Sequence, residues 1–181
     1  LSIEELAQVE ITSVAKRPEP LSDAAAAVYV ITREDIRRSG ATSLPEVLRL
    51  APNLQVVELN NFTWSISARG FNTPEASNKL LVLIDGRSAY SPLGATGFWD
   101  STNVMLQDVE RIEVISGPGG TLWGANAVNG VINIITRDSH GTQGPLVQAV
   151  AGTRDLDLSL RYGGRLGQNG AFRVYATGFE R

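Results

Sequence analysis

The sequence predicts an α+β fold in two parts: a domain of short helices and a small sheet, followed by antiparallel strands alone. Three observations lead to this prediction. Two helix-start signals lie near the N-terminus, several strand-like runs follow them, and the chain beyond residue 145 alternates strictly between apolar and polar residues. With 181 residues and 43% hydrophobic content, the chain is long enough to bury a core.

The N-terminal part begins with a leader and two short helices. Residues 1–23 are predicted to be mostly extended, with a short helical start at residues 2–7 and β-forming residues after it. A strand is predicted at residues 28–31. Thr32 can then cap a helix that ends at Gly40, and Ser43 with Glu46 has the capping-box spacing of a second helix.

The middle of the chain is rich in strand signals. Apolar and β-branched runs lie at residues 54–59, 65–69, 80–84, 112–115 and 131–136. The run at 80–84 is apolar on both faces, which indicates a central strand. Between residues 88 and 103 the chain is a long polar and aromatic loop, and loops of this length in a compact domain are usually functional.

The glycine-rich stretch at residues 117–130 raises the possibility of nucleotide binding. Gly117 and Gly119 begin a dinucleotide-type pattern, but Leu122 stands where its third glycine should be, and no helix is predicted after it. No Gly-Lys-Ser or Gly-Lys-Thr of a P-loop occurs. We therefore predict no cofactor, and we interpret the glycines as positions where the backbone turns or approaches another strand closely.

Composition argues against nucleic-acid binding, metal binding and catalysis. The net charge is -3, from 16 basic and 19 acidic residues, so there is no basic excess to neutralise phosphates. The chain has no cysteine, and its single histidine, His140, has no ligand partners nearby. Asp85 precedes Gly86 in a turn dipeptide, and no second catalytic group is spaced with it. We expect no catalytic residue, no metal and no nucleic-acid partner.

The C-terminal tail has the pattern of a sheet with two different faces. Leu156, Leu158 and Leu160 alternate with Asp157 and Ser159. This alternation is typical of a half-buried sheet, or of a membrane barrel with lipid outside and water inside. Residues 145–181 suffice for roughly three strands of membrane-spanning length, with a turn expected at residues 164–170.

Four motifs carry a resemblance to a known family. In this order and spacing, SLPEVLRLAPNLQV, ISARGFN, KLLVLIDGRSAY and VERIEVISGPGGTLWGANAVNGVINIIT closely resemble the plug domain of TonB-dependent outer-membrane receptors. The resemblance covers residues 9–138. It implies a plug with a mixed, about four-stranded sheet, seated in a barrel of the 22-stranded class in the bacterial outer membrane. By this resemblance, residues 1–20 are a periplasmic leader, 21–140 the plug and 145–181 the first barrel strands.

The resemblance also implies a function and its partners. A scarce ligand, most often a ferric siderophore, binds from outside, and the periplasmic domain of TonB pulls on the plug to open a path. Cobalamin, haem, other metal complexes and oligosaccharides are alternative ligands. A receptor whose main output is signalling is the alternative function.

Ligand contacts are expected, by position in the family, on three apical loops. The residues are Asn60, Asn61, Phe62, Trp64, Asn72, Phe98, Trp99 and Asp100. Aromatic and amide side chains can stack on such a ligand and hydrogen-bond its oxygens. The alternative for Trp64 and Trp99 is packing against the barrel wall.

The leader resembles the Ton box, the segment that TonB captures by strand addition. The expected contacts are Glu10, Ile11, Thr12, Ser13 and Val14. Capture of this kind needs an extended, β-prone segment with free backbone groups. The alternative is that residues 9–14 are a folded edge strand.

Two arginines are expected, from the resemblance, to contact the barrel. Arg69 and Arg111 lie where the family has plug arginines that pair with barrel glutamates. Ser116 departs from the pattern, since many relatives have arginine at that position.

Overall fold

The computed structural model describes residues 9–14, 17–24, 26–60, 63–68, 79–90, 99, 102, 104–117, 120–124, 126–153 and 156–180. Within these ranges the strands are β1 (Glu10–Ile11), β2 (Glu19–Pro20), β3 (Ala27–Thr32), β4 (Leu54–Asn60), β5 (Thr63–Ala68), β6 (Leu80–Ile84), β7 (Arg87–Ser88), β8 (Val109–Ser116), β9 (Gly130–Thr136), β10 (Gly144–Ala151), β11 (Leu156–Leu166) and β12 (Gly170–Glu180). The helices are α1 (Arg33–Ser39), α2 (Leu44–Leu48) and α3 (Gly120–Trp123), with 3-10 turns at Leu21–Asp23, Leu106–Asp108 and Ser139–Thr142.

The central sheet is mixed, and its five strands are ordered β3-β8-β9-β6-β7. β6 and β9 run parallel, and the other neighbouring pairs are antiparallel. The fifth strand, β7, has only two residues and follows the Asp85-Gly86 turn. Asp85 is a turn residue here: its φ is 47°, and its carboxylate accepts hydrogen bonds from the N–H and hydroxyl of Thr136, both at 2.8 Å.

The two predicted helices form where their capping signals place them. At the start of α1, Thr32 and Asp35 form a capping box: the Thr32 hydroxyl accepts from the Asp35 N–H at 3.2 Å, and Asp35 accepts from the Thr32 N–H at 2.9 Å. Gly40 ends α1 with a φ of 70°, which a glycine adopts without steric cost. At α2 the Glu46 carboxylate accepts from the Ser43 N–H at 3.3 Å.

The central sheet buries apolar side chains on both faces, because alternate residues of each strand point to opposite sides. The first face carries Ile112, Ile132 and Val82, and the buried side chains of α1, α2 and the β4-β5 hairpin join the same cluster. The second face carries Leu81 and Val131 and forms a smaller cluster. Two covered faces explain why β6 reads as a continuous apolar run.

The glycine-rich stretch serves the backbone, as expected, although it also forms one helical turn that was not predicted. This turn, α3, has four residues and lies between Gly117 and Gly124, whose φ values are 111° and 90°. At Gly130 a Cβ atom would lie 2.4 Å from the carbonyl oxygen of Ile115. Only glycine permits this approach of β9 to β8.

The tail forms an antiparallel sheet in the order β10-β11-β12. Along β11, Leu156, Leu158 and Leu160 are exposed, while Asp157 and Ser159 between them are partly buried. The turn is shorter than expected, since β11 continues to Leu166 and pairs there with Gly170. A Cβ atom on Gly164 would lie 2.6 Å from the Phe172 ring, so a larger residue at this position would clash with the ring.

The helices in the described part of the chain are all too short or too polar to cross a membrane.

Candidate functional site

The structure describes some of the predicted site residues and not others. Asn61, Phe62, Arg69, Asn72, Phe98 and Asp100 lie outside the described residues. The described ones are Glu10, Ile11, Thr12, Ser13, Val14, Asn60, Trp64, Trp99 and Arg111. They fall into four places: the leader, the end of β4, the core behind the apical loops, and β8.

The leader is docked on the plug. Ile11 and Ser13 have no exposed surface. β1 pairs antiparallel with β2, and the Leu21 N–H donates to the Val9 carbonyl at 2.9 Å. Val14 packs against the apolar cluster of the second sheet face. The segment is therefore folded here as an edge strand and is not a free strand. Burial of the isoleucine side chain stabilises this arrangement by about 1.5–3 kcal/mol.

A buried glutamate on β8 holds the leader in place. Glu113 has no exposed surface, and its carboxylate accepts hydrogen bonds from the N–H of Thr12 at 3.1 Å and the N–H of Ser13 at 2.9 Å. The Ser13 hydroxyl donates to the same carboxylate oxygen. Hydrogen bonds to a charged group contribute about 1.5–3 kcal/mol each, and without them a buried carboxylate would be strongly unfavourable.

Ser13 is also bound by side chains from two other elements. The Asn133 amide on β9 donates to the Ser13 hydroxyl at 2.8 Å, and the Trp123 indole at the end of α3 donates to the Ser13 carbonyl at 2.8 Å. Neither these two residues nor Glu113 had been predicted as site residues. The sequence does contain one sign of a buried charge: Glu113 lies between the apolar residues Ile112 and Val114 in β8.

Arg111 lies on the same strand as Glu113 and forms an ion pair with it. The Nε atom of Arg111 donates to the carboxylate at 2.8 Å. This contact lies within the plug, whereas the sequence analysis expected a barrel glutamate as its partner. Ser116 accepts a hydrogen bond from the Asn53 side chain.

The charged contact between the plug and the tail strands has the opposite polarity to the expected one. Asp108 of the plug is 2% exposed and receives a hydrogen bond from Arg161 of β11 at 2.7 Å. Arg173 of β12 lies 3.5 Å from its second oxygen. Here the plug supplies the carboxylate and the strands supply the guanidinium groups, and neither partner was predicted.

The end of the plug lies directly against β11. A Cβ atom on Gly163 would be 2.0 Å from the Thr142 carbonyl oxygen, so the two backbones touch at this point. Beside it, Arg173 donates to the Arg137 carbonyl at 2.9 Å. These contacts and the Asp108 ion pairs form a polar junction between the plug and the inner face of the strands.

The two tryptophans predicted to bind ligand are core residues in this structure. Trp64 and Trp99 are 7% and 9% exposed and belong to the main apolar cluster, and the Arg49 guanidinium lies 5.1 Å from the Trp64 ring centroid. Both line a cavity of about 80 Å³ between the plug and the tail strands. Ligand pockets have volumes of about 300–1,000 Å³, so this cavity is too small for such a ligand. Both side chains pack in the plug's own apolar core, whereas the alternative was packing against the barrel wall.

Asn60, which was predicted to contact ligand, and Tyr90 both have structural roles. Asn60 ends β4, and its side-chain oxygen accepts from the Thr63 N–H at 2.8 Å, which shapes the β4-β5 turn. The Tyr90 hydroxyl donates to the Leu80 carbonyl at 2.5 Å, and burial raises the pKa of Tyr90 to about 12. Within the described part of the chain, no group of histidine and acidic side chains could hold a metal ion.

Comparison with known proteins finds a matching family and several related transporters. The family described as "TonB-dependent Receptor Plug Domain" matches residues 20–131. The vitamin B12 transporter BtuB of Vibrio vulnificus is 35% identical over 167 residues, which are 90% of this chain and 26% of that protein. BtuB of Vibrio cholerae is 37% identical over 161 residues, 88% of this chain and 25% of that protein. The chain thus spans about a quarter of the length of these relatives.

Several solved structures have the same fold as this chain. FpvA of Pseudomonas aeruginosa, bound to a ferric pyoverdine, has a TM-score of 0.70 at 20% identity and covers 97% of this chain, which corresponds to 23% of FpvA. The ferric-catecholate import receptor Fiu of E. coli has a TM-score of 0.65 at 26% identity and covers 91% of this chain, which corresponds to 22% of Fiu. The chain therefore belongs to the TonB-dependent receptors of the bacterial outer membrane and contains their plug domain.

Proposed function

We propose that this chain supplies the leader, plug and first barrel strands of an outer-membrane importer that TonB energises. In this assignment residues 1–20 are the leader, 21–140 the plug and 145–181 the first strands of a 22-stranded class of barrel. The junction at Asp108 is the main support for this proposal. The buried Asp108 carboxylate binds Arg161 and Arg173 on the face of the tail strands that lies against the plug. The opposite face of these strands exposes apolar side chains. A polar inner face and an apolar outer face suit a barrel wall in lipid.

Residues Glu10 to Val14 are the proposed coupling segment. They precede the proposed plug in the sequence, and they include the β-forming residues that strand addition requires. Arg69 and Arg111 remain proposed contacts to parts of the barrel beyond residue 181. No chemical step is needed, because TonB would remodel the plug mechanically.

A calorimetric titration with the periplasmic C-terminal domain of TonB tests the coupling. The chain is compared with Ile11→Pro, which cannot complete a β-ladder, and with Ile11→Val, which keeps the β propensity of the wild type. We expect binding by the wild type and Ile11→Val, and none by Ile11→Pro. Equal binding by all three would place the coupling segment elsewhere.

The proposed ligand is a ferric siderophore. Support comes from the apical loops, where Asn60 and the positions Asn61, Phe62, Asn72, Phe98 and Asp100 offer amide, aromatic and carboxylate groups to an oxygen-rich complex. Fiu, which is 26% identical to this chain, is described as a ferric-catecholate import receptor.

Cobalamin is the second candidate, because the curated relatives with 35% and 37% identity are named as vitamin B12 transporters. Uptake of a ferric siderophore panel and of cyanocobalamin by cells that carry the intact receptor separates the two. Saturable uptake of the siderophore that stops on deletion of TonB is the expected result. Uptake of cyanocobalamin alone would replace the siderophore by cobalamin.

A further inference from the structure

A second cavity, beside α1, is large enough to hold part of a ligand. It has a volume of about 440 Å³ and lies between α1 and the side of β10 that faces the plug. Ligand pockets have volumes of about 300–1,000 Å³. We propose that this cavity binds an oxygen-rich anionic iron chelate in transit past the plug, through Arg33 and Arg37. Anion binding here needs no partner protein, whereas its place on the ligand's path rests on the proposed function.

The lining of this cavity combines an apolar surface with a few polar groups, as the lining of ligand pockets does. Ile36 and Leu106 are buried side chains of the plug, and Leu146 and Val150 line the cavity from β10. Gln148 of β10 adds an amide. Such a surface suits the carbon skeleton of an organic chelator better than a small hydrated ion.

The charged side chains that line the cavity are both cationic. Arg33 and Arg37 are four residues apart on α1, so they project from the same side of the helix. Arg37 pairs with Glu34 at 2.7 Å, and Arg33 forms no ion pair with any residue that the structure describes. The Arg37 pair is exposed and therefore weak, so an anionic chelate can compete for it. Guanidinium groups bind the paired oxygens of such ligands with two parallel hydrogen bonds.

The plug is attached less firmly to β10 than to the next two strands. Asp108 binds β11 and β12 through buried ion pairs, and the backbones touch at Gly163. On the β10 side the cavity separates plug and strand, and the Gln107 side chain donates across it to the Gln148 side chain. A hydrogen bond between neutral groups is weaker than one between charged groups. The space beside β10 can therefore widen while β11 and β12 stay attached.

The hydrogen bond between Gln107 and Gln148 also lies where two cavities adjoin. Both side chains line this cavity and the smaller one, of about 80 Å³, that Trp64 and Trp99 line. We expect loss of this hydrogen bond to join the two cavities into one passage along β10. The passage would lead from the core behind the apical loops to the two arginines of α1.

Thiol labelling of the purified intact receptor in detergent micelles tests the anion site. Residues 1–181 contain no cysteine, so Leu146→Cys places a single reporter thiol of this part of the receptor in the cavity. The thiol is labelled with a negatively charged and with a positively charged methanethiosulfonate, each rate being normalised to free cysteine, and the receptor without Leu146→Cys gives the background. We expect the anionic reagent to react about threefold faster or more, and this preference to vanish in concentrated salt.

Substitution of the lining arginines should remove the preference for the anionic reagent. Arg33→Gln should lower it, and Arg33→Gln combined with Arg37→Gln should abolish it. Arg38→Gln is the matched control, because Arg38 lies on the same helix and contacts Glu34 at 3.3 Å but does not line the cavity. Equal rates for both reagents in the wild type, or an equal loss in Arg33→Gln and Arg38→Gln, would overturn the anion site.

Uptake by cells that carry the intact receptor tests the place of the cavity on the ligand's path. The probes are anionic ferric siderophores of the catecholate and carboxylate types. The variant without both arginines should bind a transported probe at the cell surface as the wild type does, but import it several-fold more slowly. Import at the wild-type rate would refute the role in transit. If the wild type imports none of the probes, the proposed ligand and the transit role both fail, while the labelling result still decides on the anion site.

Discussion

The ion pairs at Asp108 give the sharpest test of how the plug is held to the tail strands. Asp108→Ala removes a carboxylate that is 2% exposed and leaves Arg161, which is 9% exposed, without its partner in the plug. Arg173 is less affected, because it keeps hydrogen bonds to the Arg137 carbonyl at 2.9 Å and the Thr136 hydroxyl at 3.2 Å. The cost should therefore come mainly from Arg161.

The expected size follows from the burial of this pair. Removing one member of a buried ion pair costs about 3–5 kcal/mol, because the other charge stays buried without compensation. Replacing Arg161 as well, by methionine, removes that charge and should restore most of the loss. The double-mutant cycle of Asp108→Ala and Arg161→Met should give a coupling energy of at least about 2 kcal/mol.

Urea unfolding in detergent micelles, followed by circular dichroism, measures these changes. Glu34→Gln is the control, since Glu34 pairs with Arg37 on the exposed surface of α1 and should leave the transition midpoint unchanged. If Asp108→Ala lowers the stability by less than about 1 kcal/mol, the junction is not held by this charge and the reasoning fails. A coupling energy near zero would refute it equally.

Three other predictions follow from local geometry. Burial raises the pKa of Tyr90 to about 12, above the usual value of about 10, so the folded state favours the protonated phenol. Its contribution to stability is complete below about pH 10 and is lost as the pH rises toward 12, and Tyr90→Phe should reduce this alkaline loss in pH-dependent unfolding; an unchanged pH profile would contradict the assignment. Gly163→Ala should lower the thermal midpoint, because the new Cβ would lie 2.0 Å from the Thr142 carbonyl, whereas Gly178→Ala, with no atom within 4 Å, should not; equal midpoints would contradict the close approach. Thr32→Ala should cost about 1 kcal/mol in urea unfolding through loss of the helix cap, and no loss would mean that the cap is not needed.

The predicted elements formed where their signals are local. Thr32 and Asp35 are three residues apart, and Gly40 ends its helix by a backbone conformation that glycine adopts alone, so both can be identified in a short window. The alternation of Leu156, Leu158 and Leu160 predicted two faces because side chains of a strand point to opposite sides. The turn after β11 was predicted but is shorter than expected, because its bounds depend on the pairing of β11 with β12.

The sequence by itself determined the α+β class, the capped helices, the two-faced tail strands and the family. Only the tertiary structure decided which polar and charged groups from distant parts of the chain meet. Glu113 and Ser13 are 100 residues apart, and Asp108 and Arg161 are 53 apart. Only the fold brings these groups within hydrogen-bond distance, because periodicity reports which face a residue takes and not what lies opposite it. The same holds for Trp64 and Trp99, whose place in the core depends on the elements that cover them.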